Sequence, residues 1–143
     1  MENIDNICDF IISEGSYVTP MKLIKMAYIS HGHHLSALNS PLFSENVIAW
    51  EYGPVVRSIY YKYKKHQNNP INTDCACLIN SESMDVVRIV LNNYDSYNGL
   101  ELSALTHQKD TPWHQTIQKF GVNGLIEDQL IKEYYDKFTH KEQ

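Results

Sequence analysis

The chain has 143 residues, of which 43% are apolar, 20% charged and 11% aromatic. This is the composition of an ordinary globular domain and excludes a collagen-like or disordered chain. A net charge of −5 with neutral histidines disfavours general binding to nucleic-acid phosphates. Apolar runs fall far short of the ~20 residues of a transmembrane helix, and the acidic N-terminus does not resemble a secretion signal. We therefore expect one cytoplasmic domain over residues 1–143, without a membrane span.

Helical spacing and capping residues predict the first elements. Apolar residues at helical spacing predict a helix over residues 4–13, with Gly15 as its stop. Thr19 and Pro20 predict the start of a second helix, because threonine is a good N-cap and proline fits the first turn. The apolar stripe of this helix consists of Leu23, Ile24, Ala27, Tyr28, His31, Leu35 and Leu38. Strand-favouring residues before Gly53 then predict a short strand or extended segment.

The remaining chain is mostly helical by the same criteria. A third helix is predicted over residues 55–65, a fourth from Ser83, and a fifth behind Asn98, whose spacing from Glu101 is that of a capping box. Thr111-Pro112 starts a sixth helix, and residues 128–138 form the last. Residues 71–80 alternate weakly and leave a second short strand open. The predicted fold is mainly α, a single compact helical domain of six or seven helices with at most a small two-stranded β element.

Two histidine-containing segments are candidates for chemistry. His31 and His34 lie one helical turn apart and could share a metal, but a third ligand is still needed, and no H-E-x-x-H pattern supplies a carboxylate base. His107 and Asp110 could form an acid–base pair, although no nucleophile elbow accompanies them. We favour structural roles for both segments, with His107 and Asp110 bonded in the turn before the sixth helix. Trp113 then anchors that helix in the core.

An aromatic corner is the third candidate. Trp50, Tyr52 and Val55 flank Gly53-Pro54, and such rings are anchors of protein interfaces when exposed and part of the core when buried. The sequence leaves both readings open.

A basic run follows at residues 57–66, R-S-I-Y-Y-K-Y-K-K-H. It suits a stacking and phosphate groove for nucleic acid, but we favour a solvated helix face with the tyrosines packed inward. The three cysteines, Cys8, Cys75 and Cys77, are an odd count without metal-ligand spacing. Reduced thiols are therefore expected.

Four stretches in order resemble the Panacea (SocA-like) antitoxin domain, which also occurs in phage-associated proteins of the GepA type. They are T-P-M-K-L-I-K-M-A-Y at residues 19–28 followed by His34-Leu35, P-L-F at 41–43 with I-A-W-E-Y-G-P-V-V at 48–56, L-S-A-L-T-H at 102–107, and Pro112-Trp113. The resemblance implies a mostly helical fold and a non-enzymatic role. Members of this family neutralise a toxin encoded beside them, generally by direct protein contact, and one delivers its toxin to a protease.

These observations define the functional hypotheses. The leading one is an antitoxin that binds a cognate protein toxin, without a cofactor, a metal or a nucleic-acid partner. Its candidate partner-binding residues are Trp50, Tyr52, Gly53, Pro54, Val55, Tyr60, His107 and Trp113. The alternatives are a proteolytic adaptor that delivers a partner protein to a protease, and a metal-dependent hydrolase built on His31, His34 and His107.

Overall fold

Side-chain caps begin most of the helices. In the computed structural model, which describes residues 1–73 and 79–139, the side chains of Asn3, Thr19, Asn80, Asn98 and Thr111 each accept a backbone N–H in the first helical turn. Such a cap satisfies a donor that the helix leaves unpaired. The helices are α1 (Ile4–Glu14), α2 (Pro20–Leu38), α3 (Arg57–Tyr63), α4 (Ser81–Tyr94), α5 (Gly99–Thr106), α6 (Pro112–Phe120) and α7 (Asp128–Thr139). A 3₁₀ turn, Lys64–His66, extends α3.

A small antiparallel sheet interrupts the helices. Its strands are β1 (Val47–Trp50), β2 (Gly53–Val55) and β3 (Leu125–Ile126), in the order β2-β1-β3. Trp50 pairs with Gly53, so β1 and β2 form a hairpin with a two-residue turn. Pro54 lies in an edge strand, where the missing amide of proline is tolerated.

The central helix α2 is buried nearly all round. Residues 22–36 are all buried, including two lysines, three histidines and two serines. The predicted stripe of α2 is therefore confirmed, apart from Leu38, which is half-buried, but the opposite face is covered as well. Buried polar groups usually have a hydrogen-bond partner, and most of these do, whereas Ser30 Oγ and His33 Nε2 have none among the described residues.

Helix α7 covers one side of α2 at a close approach. A Cβ atom at Gly32 would lie 2.2 Å from the Tyr135 ring, a separation that only a glycine avoids. On the same side, His31 Nε2 lies 2.9 Å from Asp128 Oδ1, and the His31 ring stacks on Phe43 at 4.2 Å between centroids. This side of α2 is closed by the protein itself.

The mainly helical prediction is confirmed, with two differences. The sheet contains a third strand, β3, which is too short to leave a periodic signal. Val55 and Val56 lie in β2 and at the N-cap of α3 rather than in the first turn of that helix. The second strand considered for residues 71–80 spans positions 74–78, which lie outside the described residues. Within the described part of the chain, no helix is long and apolar enough to cross a membrane.

Candidate functional site

An open groove of about 580 Å³ lies beside the β1–β2 hairpin. Its walls are the first turns of α2, the hairpin, the end of α3 and a loop behind α6. The lining residues are Pro20, Met21, Ile24, Lys25, Trp50, Glu51, Tyr52, Val55, Tyr60, Lys64, Gln67, Asn68, Ser103, Val122 and Asn123. The groove therefore joins segments that are distant in sequence.

Aromatic side chains give the groove its character. Trp50 and Tyr60 meet edge to face, with ring centroids 5.0 Å apart, a favourable geometry for aromatic pairs. Tyr52 is 69% exposed and Tyr60 is 36% exposed. Trp50 is half-buried and also packs against the core. The rings are consequently held in place by the protein while part of their surface remains open.

The backbone under these rings is fixed by side chains from α5 and α6. The Ser103 hydroxyl donates to the Tyr52 carbonyl at 2.8 Å, and the Trp113 Nε1–H donates to the Trp50 carbonyl at 2.6 Å. Gly53 has a φ of +126°, which glycine adopts without the steric cost of a side chain. These contacts make the hairpin a rigid support for Trp50 and Tyr52.

Two buried lysines of α2 have different surroundings. Lys22 is 3% exposed, and its ammonium reaches three acceptors, namely the Ser16 carbonyl at 2.7 Å, the Asp95 carbonyl at 2.7 Å and Asp95 Oδ1 at 3.0 Å. Lys25 is 4% exposed and donates to the Pro54 carbonyl at 2.8 Å. Burial without a carboxylate lowers the pKa of Lys25 to about 7. The lysine that lines the groove is thus the less fully partnered of the two.

The structure divides the eight predicted partner-binding residues into two groups. Trp50, Tyr52, Val55 and Tyr60 line the groove. The other four lie outside the lining: Gly53 and Pro54 are buried in β2, while His107 and Trp113 pack against each other at 5.4 Å between ring centroids. Trp113 anchors α6 as predicted, since its half-buried ring packs against the core. Whether any of these residues binds a partner stays a prediction.

Sequence reasoning missed several lining residues. Lys25 lies in a helix whose pattern predicted one buried stripe, and nothing in that pattern marked a second covered face. Val122 and Asn123 belong to a turn far along the chain, joined to β1 by the bond from the Asn123 amide to the Ala49 carbonyl at 2.8 Å. Because β3 was not predicted, neither was the return of this turn to the hairpin.

Two of the three histidines of α2, His31 and His34, are hydrogen-bonded within the protein, whereas the buried His33 Nε2 has no hydrogen-bond partner among the described residues. The Leu42 amide donates to His31 Nδ1 at 3.3 Å, so the Nε2–H points to Asp128. His34 Nδ1 donates to the Ser40 carbonyl at 2.6 Å, and its Nε2 accepts from Ser83 at 2.9 Å. Across residues 1–73 and 79–139, no three His, Cys, Asp or Glu side chains are placed to hold a metal ion.

The acid–base reading of the turn before α6 is not what the structure contains. His107 Nδ1 bonds the Ser103 carbonyl, and the Asp110 amide donates to His114 Nδ1 at 3.0 Å. Asp110 is therefore bonded at the start of α6 as expected, although through its backbone amide. The His107 ring instead bonds back to α5, so the expectation for His107 is wrong.

The basic run differs from its prediction in one respect. Tyr63 packs inward, but Tyr61 is 58% exposed and Tyr60 lies at the groove. The expectation that all three tyrosines point inward is wrong, because α3 is only two turns long and covers the core with a narrow face. Lys64 Nζ instead lies 5.1 Å from the centre of the Tyr61 ring, a cation–π distance.

Of the cysteines, Cys8 is buried within the core. Burial raises the pKa of its thiol to about 12, so the thiol is protonated and unreactive at neutral pH. Cys75 and Cys77 lie outside the described residues.

Comparison with known proteins agrees with the resemblance in the sequence. Residues 23–114, more than half of the chain, match the model of the family described as antitoxin SocA-like, Panacea domain. The matched range contains the β1–β2 hairpin, α3 and α5, and hence much of the groove. No curated protein and no solved structure matches the chain. The chain belongs to the SocA-like antitoxin family that carries the Panacea domain.

Proposed function

We propose that this protein is an antitoxin that neutralises a cognate protein toxin by direct binding, and that the groove is part of the toxin-binding surface. The observation that carries the proposal is the set of open aromatic rings on a fixed hairpin in a member of an antitoxin-like family. Tyrosine and tryptophan are frequent anchors of protein interfaces, because they bury a large area and retain a polar atom for hydrogen bonding.

The rigidity of the hairpin supports a binding role. A surface that is ordered before binding loses little conformational entropy when the partner docks. Here Ser103 and Trp113 hold the two carbonyls next to the turn. A toxin would therefore meet a preformed surface.

The chemistry of the lining favours contact over catalysis. The hydroxyl of Ser103 donates to a backbone carbonyl rather than to a base, so it is not an activated nucleophile. The Lys25 amine has a lowered pKa but already donates to the Pro54 carbonyl, and we assign it a binding role. We accordingly propose a non-enzymatic protein in which residues 1–143 act as one cytoplasmic antitoxin domain, with a protein as its partner.

Co-expression with the product of the adjacent gene tests this proposal. That product alone should arrest growth, and the wild-type chain should restore growth and co-purify with it at a fixed stoichiometry. The double change Tyr52→Ser and Tyr60→Ser should weaken the complex by at least tenfold, because two exposed anchors are removed. Its melting temperature should remain close to that of the wild type.

A matched control is available in Tyr17, which is 71% exposed and does not line the groove. Tyr17→Ser should leave growth rescue and affinity unchanged. A harmless neighbouring product, or rescue that is unaffected by the double change, would contradict the proposal. Toxin that disappears only when this chain is present, and persists when cellular proteases are inactivated, would instead identify an adaptor.

A further inference from the structure

The two buried lysines of α2 show what the groove lacks. At Lys22, the Asp95 carboxylate and two carbonyls accept from the ammonium. At Lys25, the Pro54 carbonyl accepts one N–H, and within the described residues no carboxylate lies within ion-pair distance. An ammonium has three N–H donors, so the Lys25 amine retains capacity for another acceptor beside the groove that it lines.

The charges around the groove point to an acidic occupant. Lys25 and Lys64 both line it, and neither forms a salt bridge in the described part of the chain, whereas Glu51 is the acidic lining residue. When the Lys25 amine is protonated, the lining carries one more positive than negative charge, in contrast with the net charge of −5 of the whole protein. Charge complementarity between surfaces selects partners and fixes their register.

We propose that the groove binds a toxin segment in which an Asp or Glu side chain lies next to an apolar side chain, and that Lys25 recognises the carboxylate. The apolar side chain packs among Trp50, Val55 and Tyr60. The carboxylate takes the role at Lys25 that Asp95 takes at Lys22. This inference rests on the proposed function, since it names the chemistry of the segment that the antitoxin contacts.

Binding of such a carboxylate is coupled to a proton. Burial holds the pKa of Lys25 at about 7 in the free protein, and a carboxylate at ion-pair distance raises it. Between pH 7 and 9 the complex therefore binds more protons than its free components, and affinity falls as pH rises. More than about one pH unit below this pKa the amine is charged in both states, so the dependence disappears.

Other titratable groups surround Lys25 and must be separated from it. They are Glu51 and Tyr52 in the hairpin turn, Tyr60 and Lys64 on the α3 side, and His107 at the end of α5. Burial, rather than any of these groups, lowers the pKa of Lys25. Replacement of Lys25 alone should therefore remove the proton uptake while the neighbouring titratable groups remain.

The test is calorimetric titration of the full-length antitoxin with the toxin encoded beside it, at pH 8 in two buffers of different ionisation enthalpy. Wild type should take up close to one proton per complex. Lys25→Met, which keeps an unbranched side chain, should abolish this uptake and weaken binding at least tenfold. Lys65→Met is the matched control, since this exposed lysine does not line the groove, and it should change neither quantity.

The toxin provides the second arm. Changing its acidic residues one at a time to Asn or Gln should identify one position whose loss removes proton uptake from the wild-type antitoxin. This arm decides the question even if Lys25→Met fails to fold. A toxin extended at its C-terminus should bind as before; loss of binding would assign the carboxylate to the chain terminus and overturn our assignment to a side chain.

The outcomes separate the two proposals. A tight wild-type complex without proton uptake, or with uptake that persists in folded Lys25→Met, overturns the inference and leaves the antitoxin function intact. No complex between the wild-type proteins overturns the proposed function and the inference together.

Discussion

Two buried lysines, one helical turn apart in α2, have different surroundings. Near the start of the helix, Lys22 ties together the chain at Ser16 and Asp95 through three short contacts. One turn later, Lys25 makes one such contact and lines an open groove. Burial of a charge is costly unless it is paired and hydrogen-bonded. The comparison indicates that the contacts of Lys22 stabilise the fold, whereas Lys25 makes fewer contacts and lines the groove in which we propose that a partner binds.

The largest expected effect on the free energy of unfolding is at Lys22, the more fully hydrogen-bonded of the two lysines. Lys22→Met removes the donor to two carbonyls and one partner of Asp95, which keeps the Ser16 amide. Breaking a buried ion pair typically costs about 3 to 5 kcal/mol, and the 26% exposure of the Asp95 side chain places this pair at the lower end. Urea denaturation should show a loss of about 3 kcal/mol in the free energy of unfolding. Lys65→Met, an exposed control, should change it by less than about 0.5 kcal/mol. A loss below about 1 kcal/mol for Lys22→Met would contradict the structural role of Lys22.

Gly53→Ala should have the next largest effect. At its φ of +126° any side chain is strained, and the new Cβ would lie 2.8 Å from Lys25 Nζ. We expect a loss of about 2 to 3 kcal/mol in unfolding free energy, from backbone strain and the displaced amine together. Gly121 is the matched control, because its φ is +79° and a Cβ there meets nothing within 4 Å. Equal losses at both positions would show that the contact with Lys25 contributes nothing.

The pH dependence of stability tests the environment of Lys25 in the antitoxin alone, with no toxin added. The pKa of Lys25 is about 7 in the folded protein and 10.5 in its ordinary environment, so the unfolded chain binds more protons between these values. Stability therefore rises with pH in this window, with a slope of up to about 1.4 kcal/mol per pH unit. Unfolding measured from pH 7 to 9 should show this rise, about 2 kcal/mol in all.

The control for this slope is Lys25→Met, in which the rise should be absent. Measurements stop at pH 9 because the raised pKa of Cys8 lowers stability at higher pH. This contribution cancels in the difference between wild type and variant. If the free energy of unfolding depended on pH in the same way in wild type and Lys25→Met, Lys25 would be solvated like an ordinary lysine, and the account would be contradicted.

The smallest expected effect concerns the support of the hairpin. Ser103→Ala removes the hydrogen bond to the Tyr52 carbonyl and should cost about 1 kcal/mol in unfolding free energy. It should also weaken toxin binding, since the turn below Tyr52 is less fixed. Ser44→Ala, whose hydroxyl makes a 3.5 Å exposed contact with Glu45, serves as the control. Unchanged toxin affinity in Ser103→Ala would argue against a preformed surface.

Local chemistry explains why the helices could be predicted. Thr19-Pro20, Thr111-Pro112 and the capping box at Asn98 each act within a few residues, and the structure contains all three. The hairpin corner was also visible, because Trp50 and Tyr52 flank Gly53-Pro54. Signals of this kind need no knowledge of the rest of the chain.

The groove could be predicted only in part, because its walls meet through long-range packing. Lys25 looks like one solvated position of an amphipathic helix until α5 and the hairpin cover it. Val122 lies at the groove because the turn before β3 is hydrogen-bonded to β1. The two residues of β3 are too few to show a hydrophobic periodicity. The exposure of Tyr60 likewise depends on tertiary packing, because only Ile59 and Tyr63 of α3 are buried. Such features follow from tertiary contacts rather than from spacing along the chain.

Hydrogen–deuterium exchange of the antitoxin, alone and with the toxin encoded beside it, tests the central claim most directly. Our account predicts that added protection concentrates in the segments that line the groove: residues 20–25, 50–60, 64–68 and 122–123. Protection confined to α7 and the far side of α4, with the hairpin exchanging as in the free protein, would contradict it.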